Sequence, residues 1–439
     1  MTQRASIPMA LALIITTLGF AILIFVQEAK SPPLLYGAYY AGTMILLYLG
    51  VRIWLPHADT LLLAIVTLLT GVGLVMIYRL TYQVPGVENL ATTQAVWILV
   101  GSGALLFTVL FFRNYEKLFV YKYLLALAAV VLIASTIFFG YEVNGAQLWL
   151  ALGPVSFQPS EFARIALVIF FASYLADTRD LWAATSRSFM GMQLPALKYF
   201  GPVALVWAAS LGLLVFEKDL GSSMLFFAVP LLMLYAATGR MAYVLLGTIL
   251  FAVGSYVTYL IFPHVQTRVS AWLDPWSDPD DTGFQITQSI FNIADGGITG
   301  AGLGEGFSQT IPEVQTDFIF STIASELGLL GATALILAFL IFVYRGIKIA
   351  LLAKDDGSKL LAFGLTAMFA VQTLIIVGGV TKAIPLTGIT LPFVSYGGSS
   401  VVGNFIITGL LLVVSENAGK HHPEEEDKEA GYAPERVTV

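Results

Sequence analysis

Apolar residues along this chain fall into long unbroken runs rather than short alternating stretches. A helix that crosses a bilayer needs about 20 mostly apolar residues. Runs on that scale stand near 6–26, 34–52, 60–78, 93–112, 122–140, 161–177, 200–216, 220–237, 242–262, 317–344, 360–380 and 401–415. The pattern predicts an all-α, polytopic membrane helix bundle of about twelve transmembrane helices. The first run is too long for the apolar core of a signal peptide, and no A-x-A cleavage pattern follows it, so it is read as a membrane helix.

Composition sharpens this picture. Of 439 residues, 57% are apolar and only 11% are charged. A soluble chain carries about 25% charged residues, so the solvent of this one is largely lipid. The chain has no cysteine, which excludes disulfides, thiolate metal sites and a thiol nucleophile. Its 22 Lys and Arg are too few and too scattered for a nucleic-acid face.

The placement of those cations sets an orientation. With the N-terminus cytoplasmic, Lys30, Arg79, Arg164, Lys218, Arg268 and Lys382 fall on the outer side and the other sixteen inside. The positive-inside rule then puts both termini in the cytoplasm. Residues 416–439 are charged and poor in large apolar residues, which predicts a disordered cytoplasmic tail. Residues 1–58 form two additional N-terminal helices, and 59–415 hold a ten-helix core.

Polarity is concentrated in four segments that share the outer side: 144–164, 216–223, the long loop 263–317, and 381–400. They are rich in Gly, Pro, Ser and amide residues at apparent membrane depth. Irregular backbone is tolerated there only inside protein or along a wet cavity, so these segments are expected to line an outward-facing cavity. Ionisable residues within them are functional candidates. Glu161 and Arg164 are spaced i, i+3 and share a helix face, as a structural ion pair or as part of a site. Lys218 and Asp219 interrupt two apolar runs and read as a site or as a plain outer turn.

Asp317 opens an apolar helix, where an acidic residue reads either as a site or as a cap and dipole partner. Glu326, half a turn out of phase with it, is expected to point into the bundle as a structural group. The acidic run Asp274, Asp278, Asp280 and Asp281 lacks calcium-loop spacing and reads as a solvated turn. The glycine-rich stretch 296–306 follows no strand, so a flexible loop or close backbone packing is a better reading than a phosphate loop.

Taken together these segments carry an ordered series: NGAQLW (144–149), FQPSEFAR (157–164), KDLGSS (218–223), WLDPWSDP (272–279) with GFQITQS (283–289), GGITGAGLGEG (296–306), IPEVQTDFIF (311–320), ASELGLLG (324–331) and GITLPFVSYGGSS (388–400). The series resembles the SEDS family, that of RodA and FtsW, across roughly residues 60–415, and its last motif is closer to RodA. Gln147, Leu148, Arg164, Lys218 and Gln315 depart from residues frequent in the family.

The resemblance implies a peptidoglycan glycosyltransferase that polymerises lipid II outside the bacterial cytoplasmic membrane during cell-wall elongation. It also implies a class B penicillin-binding protein as partner and the TDF aspartate, Asp317, as the catalytic residue. An inverting transfer needs a base for the acceptor hydroxyl and cations for the leaving pyrophosphate. With no Cys, and His264 alone among histidines on the outer side, a carboxylate is the natural base.

Substrate contacts are expected from Arg268, Arg164, Glu161, Asp219, Lys218 and Lys382, and from Trp149, Ser160 and Ser399 in the same segments. No resident cofactor is implied, although the pyrophosphate leaves room for a divalent cation, Mg or Mn. The other ligands expected are undecaprenyl-pyrophosphate-linked glycan and membrane lipids, with no nucleic acid. The rival readings are a lipid II flippase and a division-specific, FtsW-like polymerase.

Overall fold

The structure is a computed structural model that describes residues 6–26, 32–81, 89–143, 146–153, 155–184, 187–189, 192–194 and 197–430. Lys30, Asn144, Gly145 and residues 431–439 lie outside the described residues.

The long apolar runs are helices. An N-terminal pair, α1 (Ser6–Val26) and α2 (Pro33–Trp54), precedes α3 (Leu61–Thr81), α4 (Leu90–Phe111), the short α5 (Glu116–Val120) and α6 (Lys122–Phe139). Then come α7 (Ser160–Ala184), α8 (Leu197–Phe216), α9 (Leu220–Thr238) and α10 (Met241–Ile261). Two shorter helices in the long loop, α11 (Pro263–Leu273) and α12 (Phe284–Gly296), lead to α13 (Ile319–Leu352), α14 (Asp356–Val380) and α15 (Gly398–Ala430).

Among the described residues, ten helices are long and apolar enough to cross a membrane: α1 to α4, α6, α9, α10 and α13 to α15. The other two expected spans fall on α7, which carries Glu161 and Arg164 near its start, and on α8, whose apolar part is Gly201–Val215.

The α3 helix is the buried axis. Nearly all its residues are enclosed, between α1, α4 and α13, as expected for a helix apolar all round. The α1 helix approaches it closely because of Gly71, where a Cβ would lie 2.0 Å from Thr16 Oγ1. Further out, α4 packs on α15, α13 on α14 and α7 on both α6 and α14. Of α10 only Tyr243 and Gly247 are buried, so it runs along the periphery.

Two features were absent from the helical pattern. Residues 141–157 form a small antiparallel sheet in the order β1 (Tyr141–Val143), β2 (Ala146–Leu152), β3 (Val155–Phe157). A hairpin, β4 (Arg187–Phe189) and β5 (Met192–Leu194), lies between α7 and α8. At the other end, α15 continues past the tail boundary expected at residue 415. Glu416 is fully buried there and binds His57 and Lys420, which draws this turn onto the bundle.

Candidate active site

Two irregular segments meet above the bundle. One is the end of the long loop, 311–318; the other is the stretch 381–397 between α14 and α15. They are stitched together by main-chain and hydroxyl groups. The Tyr396 N–H donates to Gln315 O at 2.9 Å, and the Ser395 hydroxyl donates to Thr316 O at 2.5 Å. Gln94 of α4 holds the second segment from beneath, donating to Ser395 O at 3.3 Å and accepting from Gly397 N at 3.4 Å.

Asp317 stands in the first segment and does not cap its helix. The N-cap of α13 is Phe318, and no side chain bonds the free N–H groups there. Thr316 is no cap either, since its hydroxyl donates to Glu313 O at 3.1 Å. The Asp317 carboxyl instead faces Gly388 of the second segment. A Cβ built on Gly388 would lie 3.5 Å from Asp317 Oδ2 and 3.8 Å from both Nη atoms of Arg268. Gly388 has φ +74° and no side chain, and both conditions keep this space open for the carboxylate and guanidinium to share. Arg268 comes from α11 and is anchored by donating to Thr387 O at 2.9 Å and Leu386 O at 3.3 Å.

The electrostatics follow from this geometry. Asp317 keeps partial contact with solvent, yet burial of its carboxyl raises its pKa to about 7. Thr316 opposes that rise, Glu313 adds to it, and the charge of Arg268 opposes it. His264 moves the opposite way: burial, then the charges of Arg268 and Lys218, push its pKa below the usual histidine value.

Asp219 lies within reach of the same charges. It caps α9, accepting Ser222 N–H at 2.8 Å. Its Oδ2 is buried with no hydrogen-bond partner among the described residues. Burial pushes its carboxyl above the usual range against the opposing pull of Ser222, Arg268 and Arg164. Asp219 is thus both a cap and a neighbour of the cationic cluster.

Glu161 and Arg164 are buried and paired. Arg164 also donates to Gln372 Oε1 of α14 at 2.8 Å, and Gln372 donates onward to Thr390 O at 2.9 Å. This pair supports the floor of the site and the 381–397 segment.

The other expected contacts are more dispersed. Ser399 Oγ accepts from Gln158 N at 3.0 Å, fastening α15 to the start of α7, and Ser160 is buried in that first turn. Trp149 is partly buried in β2 opposite Tyr141. Lys218 is exposed, Lys382 is half-buried, and both adopt positive φ. The Lys382 carbonyl receives Trp272 Nε1–H at 3.1 Å.

Sequence reasoning missed Gly388, Gln372, Gln94 and Ser395, which place the candidate groups, and also Glu217. Glu217 is buried beside Asp219, accepts from the Thr136 hydroxyl, and is pushed up to about 8, chiefly by burial. Its position directly before Lys218 and Asp219 was the available signal.

A family model described as a cell cycle protein, that of FtsW, RodA and SpoVE, matches residues 59–420. The chain belongs to this family. Among its FtsW/RodA/SpoVE relatives, the peptidoglycan glycosyltransferase RodA of Mycobacterium tuberculosis is 43% identical over 382 residues, covering 84% of this chain and 81% of the relative. The Mycobacterium leprae RodA is 39% identical over 418 residues, covering 94% and 89%. That coverage exceeds the family core and reaches at least into α2. A chain from a solved peptidoglycan synthase complex, described by its coordination of polymerization and crosslinking, superposes with TM-score 0.58 at 25% identity over 87% of this chain and 97% of its own.

Proposed function

We propose that this multi-pass membrane protein is a peptidoglycan glycosyltransferase that polymerises lipid II on the outer face of the cytoplasmic membrane during elongation. The observation that carries the reading is the approach of Asp317 and Arg268 to one open space at Gly388: a carboxylate not spent on its helix, facing the same space as a guanidinium fixed by main-chain carbonyls. The RodA relatives support the elongation role.

In this reading Asp317 takes the proton of the acceptor 4-hydroxyl. The freed oxygen pair attacks the donor C1, and the C1–O bond to pyrophosphate breaks with inversion, releasing undecaprenyl pyrophosphate. A base titrating near neutrality suits the step. Arg268 has five N–H donors, and those not held by Thr387 and Leu386 are available to the pyrophosphate, whose charge grows as it leaves. Arg164 is already held by Glu161 and Gln372, so its part is to set the field at Asp219.

Among the described residues no three His, Asp or Glu converge on a metal-sized space, so an all-protein metal cage does not fit. A magnesium-like cation takes one or two carboxylates plus substrate phosphates. Asp219, with its buried unpartnered Oδ2, would supply one such carboxylate, and the cation would neutralise leaving-group charge. We further propose that both termini are cytoplasmic, that the site faces outward, and that a class B penicillin-binding protein supplies cross-linking.

The test is purified protein in liposomes carrying labelled lipid II. Glycan polymer is expected. Translocation without polymer would make the chain a flippase, and neither product would leave it a scaffold.

A further inference from the structure

At the end of the bundle opposite Asp317, three chain segments enclose an open notch: the α2–α3 linker, the last turns of α13, and α15 near residue 415. Arg345 lies 28 residues beyond Asp317, roughly 40 Å along a helix at 1.5 Å per residue. The notch is therefore at the far headgroup level and separate from the candidate active site.

Its walls are tightly fixed. Asp59 N donates to Ser415 Oγ at 2.9 Å, and a Cβ on Gly419 would lie 2.7 Å from His57 O. Both acids are already consumed. Asp59 binds Arg345, whose Nε donates at 2.5 Å. Glu416 accepts His57 N at 2.6 Å, His57 Nδ1 at 3.2 Å and Lys420 Nζ at 3.1 Å.

Lys348 remains. It is half-buried, lines the notch one turn beyond Arg345, and has no anionic partner among the described residues. Residues three apart on a helix share a face, so Lys348 and Arg345 present their charges together. Ile349 and Leu352 line the same wall, and Leu351 beside them is exposed. The notch thus combines one unpaired cation, Lys348, with an apolar flank at the end of membrane-crossing helices. Basic pockets between transmembrane helices at headgroup level take anionic lipid headgroups.

We infer that this notch binds one phosphate group, with Lys348 as its unpaired cation beside the Asp59-bound Arg345, and an anionic phospholipid headgroup as its natural source. The site ties the N-terminal helix pair to α13 and α15, so occupancy should stiffen the helices that carry Asp317 and Ser399 at their other ends.

The test is thermal unfolding of the full chain in neutral detergent with phosphatidylglycerol, phosphatidylcholine or inorganic phosphate added. Phosphatidylglycerol should raise the unfolding temperature of the wild type, and phosphatidylcholine should not. Lys348→Gln should bind phosphatidylglycerol about five-fold more weakly, the equivalent of one lysine near an anionic headgroup. Lys348→Arg should retain the effect. Because Lys348 makes no ion pair, Lys348→Gln should unfold like the wild type when no lipid is added. Native mass spectrometry, counting phosphatidylglycerol bound to Lys348→Gln and Lys348→Arg, gives a second reading that does not depend on unfolding.

Protection by inorganic phosphate alone, lost in Lys348→Gln, would keep the site and make its source a soluble anion. Equal protection of the wild type and Lys348→Gln by phosphatidylglycerol, or protection of neither, would overturn the inference.

Discussion

Glu326 and Asp317 stand nine residues apart at the start of the same long helix region, and the bundle treats them in opposite ways. Glu326 is fully enclosed. Its Oε1 lies 2.5 Å from Arg79 Nε of α3, and its Oε2 accepts Gly304 N–H at 2.8 Å. Arg79 in turn donates to Gly306 O at 2.5 Å.

Around this pair α13 breaks at Gly328, where φ is +65°. The loop 297–302 bonds the broken turn, with Leu329 N–H reaching Gly297 O at 3.0 Å and Ala301 N–H reaching Ser325 O at 3.0 Å. The glycines are needed for that approach, because a Cβ at Gly300 would lie 2.1 Å from Glu326 O. Asp317 has no such enclosure: it caps nothing, shares an open space with Arg268, and keeps contact with solvent. A carboxylate near membrane depth is thus not in itself a sign of chemistry. What separates the two is whether the fold has sealed the group against a buried cation of its own, as it does Glu326 with Arg79, or left it open to solvent.

Breaking the closed pair should have the largest effect on the fold. Arg79→Ala leaves Glu326 buried without its cation, which costs about 3–5 kcal/mol. Thermal unfolding should drop sharply, and Arg79→Met with Glu326→Gln should recover most of the loss.

The glycines sharpen the contrast. Gly300→Ala combines positive φ with a clash against Glu326 O and should cost about 1–3 kcal/mol. Gly388→Ala meets no atom closer than 3.5 Å, so it should cost less stability while lowering polymer yield, because its methyl enters the space between Asp317 and Arg268. Equal stability losses with unchanged activity in Gly388→Ala would erase the distinction.

Arg268→Lys keeps the charge but loses the fork of donors. Turnover should fall about 10- to 100-fold, the worth of one hydrogen bond to a charged group, with little change in unfolding temperature.

The smallest effect is in pH. The Asp317 carboxyl is raised from 3.8 to about 7, so the base form, and with it the rate, should grow as pH rises through about 7 and then level off. Stability has the opposite sign: the folded state holds this proton where the unfolded chain has released it, so that contribution fades as pH rises through about 7. Asp317→Asn should flatten the stability trend between those values.

Much of this was legible in the sequence. The helices were, because about 20 apolar residues have few other uses. Asp317, Arg268, Asp219 and the Glu161–Arg164 pair were, because charge stands out against such runs. The glycines of 296–306 left a flexible loop and close packing both open, and the structure shows the packing; its partner, the break at Gly328, was not readable, since a single glycine in an apolar run carries no mark. Arg79 was visible only as an outer cation, because a pairing 247 positions apart in sequence leaves no local trace. Gly388 and Gln372 were likewise silent: their effect lies in the space and bonds they give to distant residues. The small sheet at 141–157 was hidden because its strands are short and sit among helix-length runs.

In the proposed reading Asp317 is the reacting base and no part of the fold's support. Asp317→Asn, purified and inserted in liposomes, should unfold at no lower temperature than the wild type, bind labelled lipid II as the wild type does, and make glycan polymer about 10²–10⁴-fold more slowly. Polymer at near the wild-type rate from that variant would contradict the account and make Asp219 the next carboxylate to test.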